Sequence, residues 1–154
     1  MKKIRPGVFE TNSSSSHSLV LDESSNLLDQ PFSDAVVASG IVEINAGEYG
    51  WEEDSFNSVG EKLSYLYTDA GMNLPDDINP NLYTESDKLN MIRDAIKYHA
   101  GLDTHFEEYE GSFPGYIDHQ SLGTCDTVWN KGVDGVVKFV FNPESSFETD
   151  NDNH

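Results

Sequence analysis

Cysteine is almost missing from this chain. Cys125 is the single one in 154 residues, so an intramolecular disulfide and a zinc site built from several thiolates are both excluded. Long apolar runs are missing as well. No stretch approaches the roughly 18 consecutive apolar residues of a membrane span. Met1-Lys2-Lys3 has the basic start of a signal peptide, but Arg5-Pro6-Gly7 stands where an apolar region belongs. The expectation is a soluble, cytoplasmic protein with no membrane partner. Basic residues are scarce: 9 Lys and Arg face 28 Asp and Glu, for a formal net charge of −19. A field of that sign repels phosphates, which argues against direct nucleic-acid binding and against anionic membranes. It favours a basic protein partner, including one whose positive groove ordinarily holds nucleic acid. The acids are scattered rather than blocked, which also fits plain solubility.

Enough apolar residues remain for a core, with 36% hydrophobic and 11% aromatic content, and the length suits one domain. Two helices stand out. Over 58–70, Ser58 and Glu61 form a capping box, Val59, Leu63, Leu66, Tyr67 and Ala70 recur at helical spacing, and Gly71 offers a left-handed stop. Over 85–100, Thr84 and Asp87 cap, Leu89, Ile92, Ala95 and Ile96 form the stripe, and Gly101 ends it. Each is read as having one apolar face, packed on a sheet.

Strands are expected at 17–22, at 41–44, over 104–109, and above all at Val136–Phe141, which is closed by Asn142-Pro143. Ala35–Ala38 is a second short apolar, β-branched piece, set off from 41–44 by Ser39-Gly40, and 126–131 reads as a helical turn. The fold class is therefore α+β: a mostly antiparallel sheet with two amphipathic helices on one face. The domain spans 1–147, with a polar tail over 148–154 that frays. Strands near both ends imply that the terminal segments meet in the sheet.

The chemistry-bearing residues gather in a few places. Asn12, Ser13, Ser14, Ser15, Ser16 and His17 precede an apolar strand, and a loop of hydroxyls and backbone amides with a histidine can cradle an anion. It lacks the glycines and lysine of a P-loop, and short polar side chains also cap neighbouring backbone in ordinary turns. Asp118, His119 and Ser121 form the second cluster. On a strand, His119 and Ser121 share a face while Asp118 points away. His17, His119, Asp150 and Asp152 could supply a His/carboxylate metal set, although Asp150-Asn151-Asp152 lacks the glycine and glutamate of a calcium loop. His99 and His105 flank a helix end, where a C-terminal dipole favours them. Tyr49, Trp51 and Glu52 lie in a glycine-punctuated loop and are candidate partner anchors, or a cover for the sheet.

Phe9–Ser18 (FETNSSSSHS) resembles the N-terminus of a recurring class of small uncharacterised proteins from tailed bacteriophages and bacterial mobile elements. Gly47–Glu52 (GEYGWE), Tyr116–Ser121 (YIDHQS) and Phe141–Asn153 (FNPESSFETDNDN) fit the same class, together about a quarter of the chain. The resemblance implies a setting, a phage product in an infected bacterial cytoplasm, and no particular activity. A weaker likeness runs from Gly132 to Glu144, which is similar to the closing strand pair of some ADP-ribosyltransferases, with His17 on the NAD-binding strand. Ser18 replaces the glycine expected after that histidine, and no Gln/Glu-x-Glu motif follows. The functional expectation is an acidic accessory protein that binds and modulates a host protein, as an inhibitor or anti-defence factor that mimics nucleic-acid charge. The alternative is a small enzyme or nucleotide-binding protein that uses the Ser13–Ser16 loop, His17 and His119. No cofactor is specified.

Overall fold

Strands from opposite ends of the chain pair at the sheet's centre. A computed structural model describes residues 15–50, 54–72, 83–117 and 123–151. In it β1 (Ser15–Val20) and β4 (Asp54–Phe56) flank β7 (Ser146–Asn151), both antiparallel. The register sets His17 opposite Thr149 and Leu19 opposite Phe147. Terminal segments do meet, as expected. The boundary at 147 needs correcting, however, because pairing continues through Glu148, Thr149 and Asp150 to Asn151, in the middle strand of the sheet.

The remaining strands form two short parallel pairs. β2 (Ile41–Ile44) lies beside β5 (Asp103–Phe106), and β3 (Glu48–Tyr49) beside β6 (Tyr116–Ile117). Five helices complete the described residues: α1 (Asp34–Ser39), α2 (Val59–Gly71), α3 (Glu85–Ala100), α4 (Asp126–Asn130) and α5 (Gly132–Phe141). The fold is α+β with an antiparallel sheet, as the sequence implied, and no helix among the described residues is long and apolar enough to cross a membrane.

Three local readings change. Val136–Phe141 is helix, not strand. α5 buries Val136, Val137, Phe139, Val140 and Phe141, and Asp134 reaches Lys138 one turn on at 3.3 Å. A short apolar run has no period that separates a buried strand from a buried helix. Packing decides here: α5 lies against α2, α3 and α4, and a Cβ on Gly135 would fall 2.4 Å from the Val128 carbonyl oxygen. The stretch likened to a strand pair of ADP-ribosyltransferases is therefore a helix. Ala35–Ala38 is likewise helical, closed by Gly40 at φ 78.

α2 also differs from its reading. It is buried on nearly every side, including Lys62 and Asp69, rather than along one stripe. Ser58 Oγ accepts from the Glu61 amide as expected, but the Glu61 carboxylate takes the Ser58 hydroxyl instead of a backbone amide. Gly71 is no left-handed stop. The following residue, Met72, is right-handed at φ −76, and Gly71 is small because the Phe113 ring would lie 2.2 Å from any Cβ there. By contrast α3 has the Thr84/Asp87 capping box and the Gly101 left-handed end that its sequence indicates.

Candidate functional site

Of the candidate residues, Asn12, Ser13, Ser14, Trp51, Glu52, Asp118, His119, Ser121 and Asp152 lie outside the described residues. Ser15 and Ser16 are the first residues of β1, opposite Asn151 and Asp150 of β7. The serine run thus enters the sheet two residues before the expected start of the strand. Among the described residues no group of three or more His, Cys, Asp or Glu is placed to hold a metal ion.

His17 is buried at 8% exposure, and both ring nitrogens are engaged. Nε2 lies 2.9 Å from the Gly50 carbonyl oxygen, which can only accept, so Nε2 carries a proton. In the neutral ring Nδ1 then accepts from the Tyr65 hydroxyl at 2.8 Å. That geometry ties the strand after the serine run to the end of the Gly47–Gly50 loop and to the middle of α2. Tyr65 in turn is hydrogen-bonded by Thr124, and burial pushes its phenol well above the ordinary tyrosine range. Its ring stacks on Phe147 at 4.0 Å.

Beyond Thr124 the polar interior continues. Cys125 is fully buried, and burial, followed by the nearby Asp69 carboxylate, pushes its thiol well up. A protonated, enclosed thiol is a poor nucleophile. Asp69 Oδ2 accepts from Lys88 Nζ at 3.2 Å and from the Trp129 indole N–H at 2.8 Å, with the Lys88 ammonium over the Trp129 ring. Burial also raises Asp126, and the Asp69 carboxylate adds to the rise. Two turns nearer the start of α2, Lys62 is completely buried. It donates to the Asn142 and Ser145 carbonyls, both at 3.0 Å. Burial lowers its pKa to about 8.

Tyr49 also faces inward. Its ring meets Phe56, Tyr65 and Phe147 edge-on, its hydroxyl donates to Ser64 at 3.0 Å, and burial raises its pKa. His99 lies in the last turn of α3, as expected, whereas His105 is on β5. His99 donates to the Leu28 carbonyl at 2.7 Å and stacks on Phe141. His105 sits on β5 opposite Glu43 and is bracketed by Glu43 and Glu108, whose hydrogen bonds raise its pKa.

Sequence reasoning reached His17 but missed Tyr65, Asp69, Lys88, Thr124, Cys125 and Trp129. A signal was present: Lys62, Asp69 and Lys88 fall on the apolar stripes of their own helices, three or four residues from Val59, Leu66 and Ile92. A charge in such a place either breaks the stripe or is paired inside.

The outer surface carries few cations. Of the nine Lys and Arg residues, Lys62 and Lys88 are interior. On the described surface Lys97 pairs with Asp103, Lys131 with Glu23 and Lys138 with Asp134, while Arg93 lies against Asn90 and over the Phe106 ring. Fold and surface together define an α+β protein with an acidic exterior and a polar core in which Thr104 Oγ1 is the one buried side-chain polar atom without a hydrogen-bond partner among the described residues. The chain matches no known protein-family model, no curated protein and no solved structure.

Proposed function

We propose that this protein is an acidic binding module that engages a basic partner protein. The observation that carries the reading is the placing of its cations: two of the nine are spent inside the fold, and the exposed lysines of the described surface are each beside a carboxylate. The outward field is more one-sided than a charge of −19 spread evenly along the chain. Such a field speeds encounter with a positive surface and selects against negative ones. The internal polar groups support the same reading. His17, Tyr65, Asp69, Lys88 and Lys62 hydrogen-bond to one another or to backbone, an arrangement that stabilises a scaffold. The resemblance of the FETNSSSSHS, GEYGWE and YIDHQS segments supplies the setting, a phage accessory protein that modulates a host factor such as a defence or nucleic-acid-handling protein.

The test is a tagged pull-down from bacterial lysate washed at rising salt. The expected result is one dominant basic protein, released progressively as salt screens the field. Recovery of a nucleotide or metal without a protein, lost in Ser14→Ala or His119→Ala, would instead establish the small-ligand alternative.

A further inference from the structure

Among the described residues β2 has a strand neighbour on one side only. Its described partner is β5, in a two-stranded pair. In a parallel pair alternate residues direct their N–H and C=O groups toward the partner. Gly40 and Ile44 accept from the Asp103 and Glu107 amides, so Val42, of the same parity, also faces β5. Ile41, Glu43 and Asn45 turn their backbone groups the other way. At Ile41 that side is filled by Ser39, whose hydroxyl accepts from the Ile41 N–H at 3.2 Å and shares its own proton between the Val36 carbonyl at 2.8 Å and the Ile41 carbonyl at 3.1 Å. At Glu43 no described strand follows.

That open side faces a groove of about 680 Å³, with consecutive residues 41–46 along one wall, α1 along another and the first turns of α2 opposite. No residue of β5 lines it, whereas consecutive residues of β2, of both parities, do. Its volume falls inside the roughly 300–1,000 Å³ range of ligand pockets. Phe32, Val36, Val59 and Leu63 make it apolar, and Glu43 is the one charged residue on its wall among the described residues. Ile41, which also lines it, is 41% exposed.

We infer that this groove takes an extended basic segment of the partner protein, added as a further strand on β2. The inference rests on the binding-module reading and names its site. An open strand edge supplies main-chain hydrogen bonds, and adjacent pockets accept alternate side chains. The occupant's chemistry follows from charge. A second copy of this chain would bring −19 against −19 and set one Glu43 edge against another, whereas a segment alternating apolar and cationic side chains meets an apolar trough whose one wall carboxylate, Glu43, is 68% exposed and held by His105 at 2.9 Å, so that the segment's cation shares it with that imidazole. A four-residue strand presents about 13 Å of edge, enough for a short segment of comparable length.

The probe is a heptapeptide of alternating lysine and valine, followed by fluorescence anisotropy and by amide hydrogen exchange at Glu43. The expected result is saturable binding with slowed Glu43 exchange, and loss of binding when the peptide amides facing β2 are N-methylated but not when the alternate ones are. Gly60 lines the groove, and a Cβ built on it meets nothing within 4 Å, so Gly60→Tyr fills the trough without strain at its root. It should weaken the peptide at least tenfold while leaving circular dichroism unchanged. Ser39→Ala, which releases the Ile41 backbone, should tighten binding about threefold, the worth of one added hydrogen bond.

Unchanged Glu43 exchange, equal binding by Gly60→Tyr, or no binding at all would each overturn the inference. So would a dimer, seen by light scattering, that Gly60→Tyr dissolves, since the edge would then belong to a second copy. The broader reading is judged separately. A salt-sensitive partner that Gly60→Tyr still captures removes the groove and leaves the acidic module, while no partner for the wild type removes the module itself.

Discussion

Helix α2 buries a charge at each end, and the two ends solve the problem differently. Toward its C-terminus Asp69 meets Lys88 and the Trp129 indole, so opposite charges offset each other out of water. Toward its N-terminus Lys62 meets no carboxylate among the described residues. Two backbone carbonyls receive it, from Asn142 at the C-cap of α5 and from Ser145 in the turn beyond, with the Phe139 ring beneath. There the unsatisfied carbonyl end of a helix stands in for an anion. A full charge and partial charges differ in what each tolerates: losing one member of an ion pair strands the other, whereas losing a cation from carbonyls strands only neutral acceptors.

The sharpest way to break the comparison is at Asp69. Asp69→Asn should destabilise by about 3–5 kcal/mol, because Lys88 is left buried without its counter-charge. The double change to Asp69→Leu with Lys88→Met should cost much less than Asp69→Asn alone, read by denaturant unfolding. Equal costs would mean that the pair is not coupled.

Lys62→Met should cost less, about 1–3 kcal/mol at pH 7, because the buried Ser145 carbonyl loses its donor while the Asn142 carbonyl keeps the Ser145 amide. Its pH dependence sharpens the contrast. With a folded pKa of about 8 against an ordinary 10.5, the unfolded chain holds the proton more tightly between those values. Wild-type stability from this group therefore rises with pH across that window, and is absent below it. The deficit of Lys62→Met relative to wild type should grow from pH 8 to 10.5. A flat difference would show that Lys62 titrates normally.

Tyr65→Phe, midway along the helix, removes the hydroxyl between His17 and Thr124 and should cost about 1–1.5 kcal/mol. It should also speed amide exchange in β1, if this bond is what ties that strand to α2. The smallest effect is expected where α2 touches neither charge: Gly60→Ala should stabilise by about 0.5–1 kcal/mol, since the site is helical and open.

These residues show what a reader of the sequence could and could not see. The caps at Ser58 and Thr84 and the stop at Gly101 were legible, because each is an interaction among residues within about four positions. That the terminal segments meet was expected, but for the wrong strand: the expectation relied on Val136–Phe141, which is helix, while β7, the strand that pairs with β1, reads mostly as a tail. Gly71 was misread, because its smallness answers to Phe113, 42 positions away. Lys62, Asp69 and Lys88 were not singled out, although their positions on apolar stripes marked them. Of the candidate site, His17 was found on composition alone, while its partners Tyr65 and Gly50, and Thr124 beyond Tyr65, come from three other segments.

By itself, then, the sequence determined the α+β class, the ends of α3, the start of α2 and the acidic excess, all of which follow from local hydrogen bonding or from composition. Tertiary structure decided that 132–141 is a helix, that Glu148–Asn151 lies within the sheet rather than in a tail, and that two lysines are interior. Val, Phe and Lys do not choose between those outcomes locally. Burial against α2 and its neighbours does, because the free energy of enclosing a side chain depends on what distant segments bring to meet it.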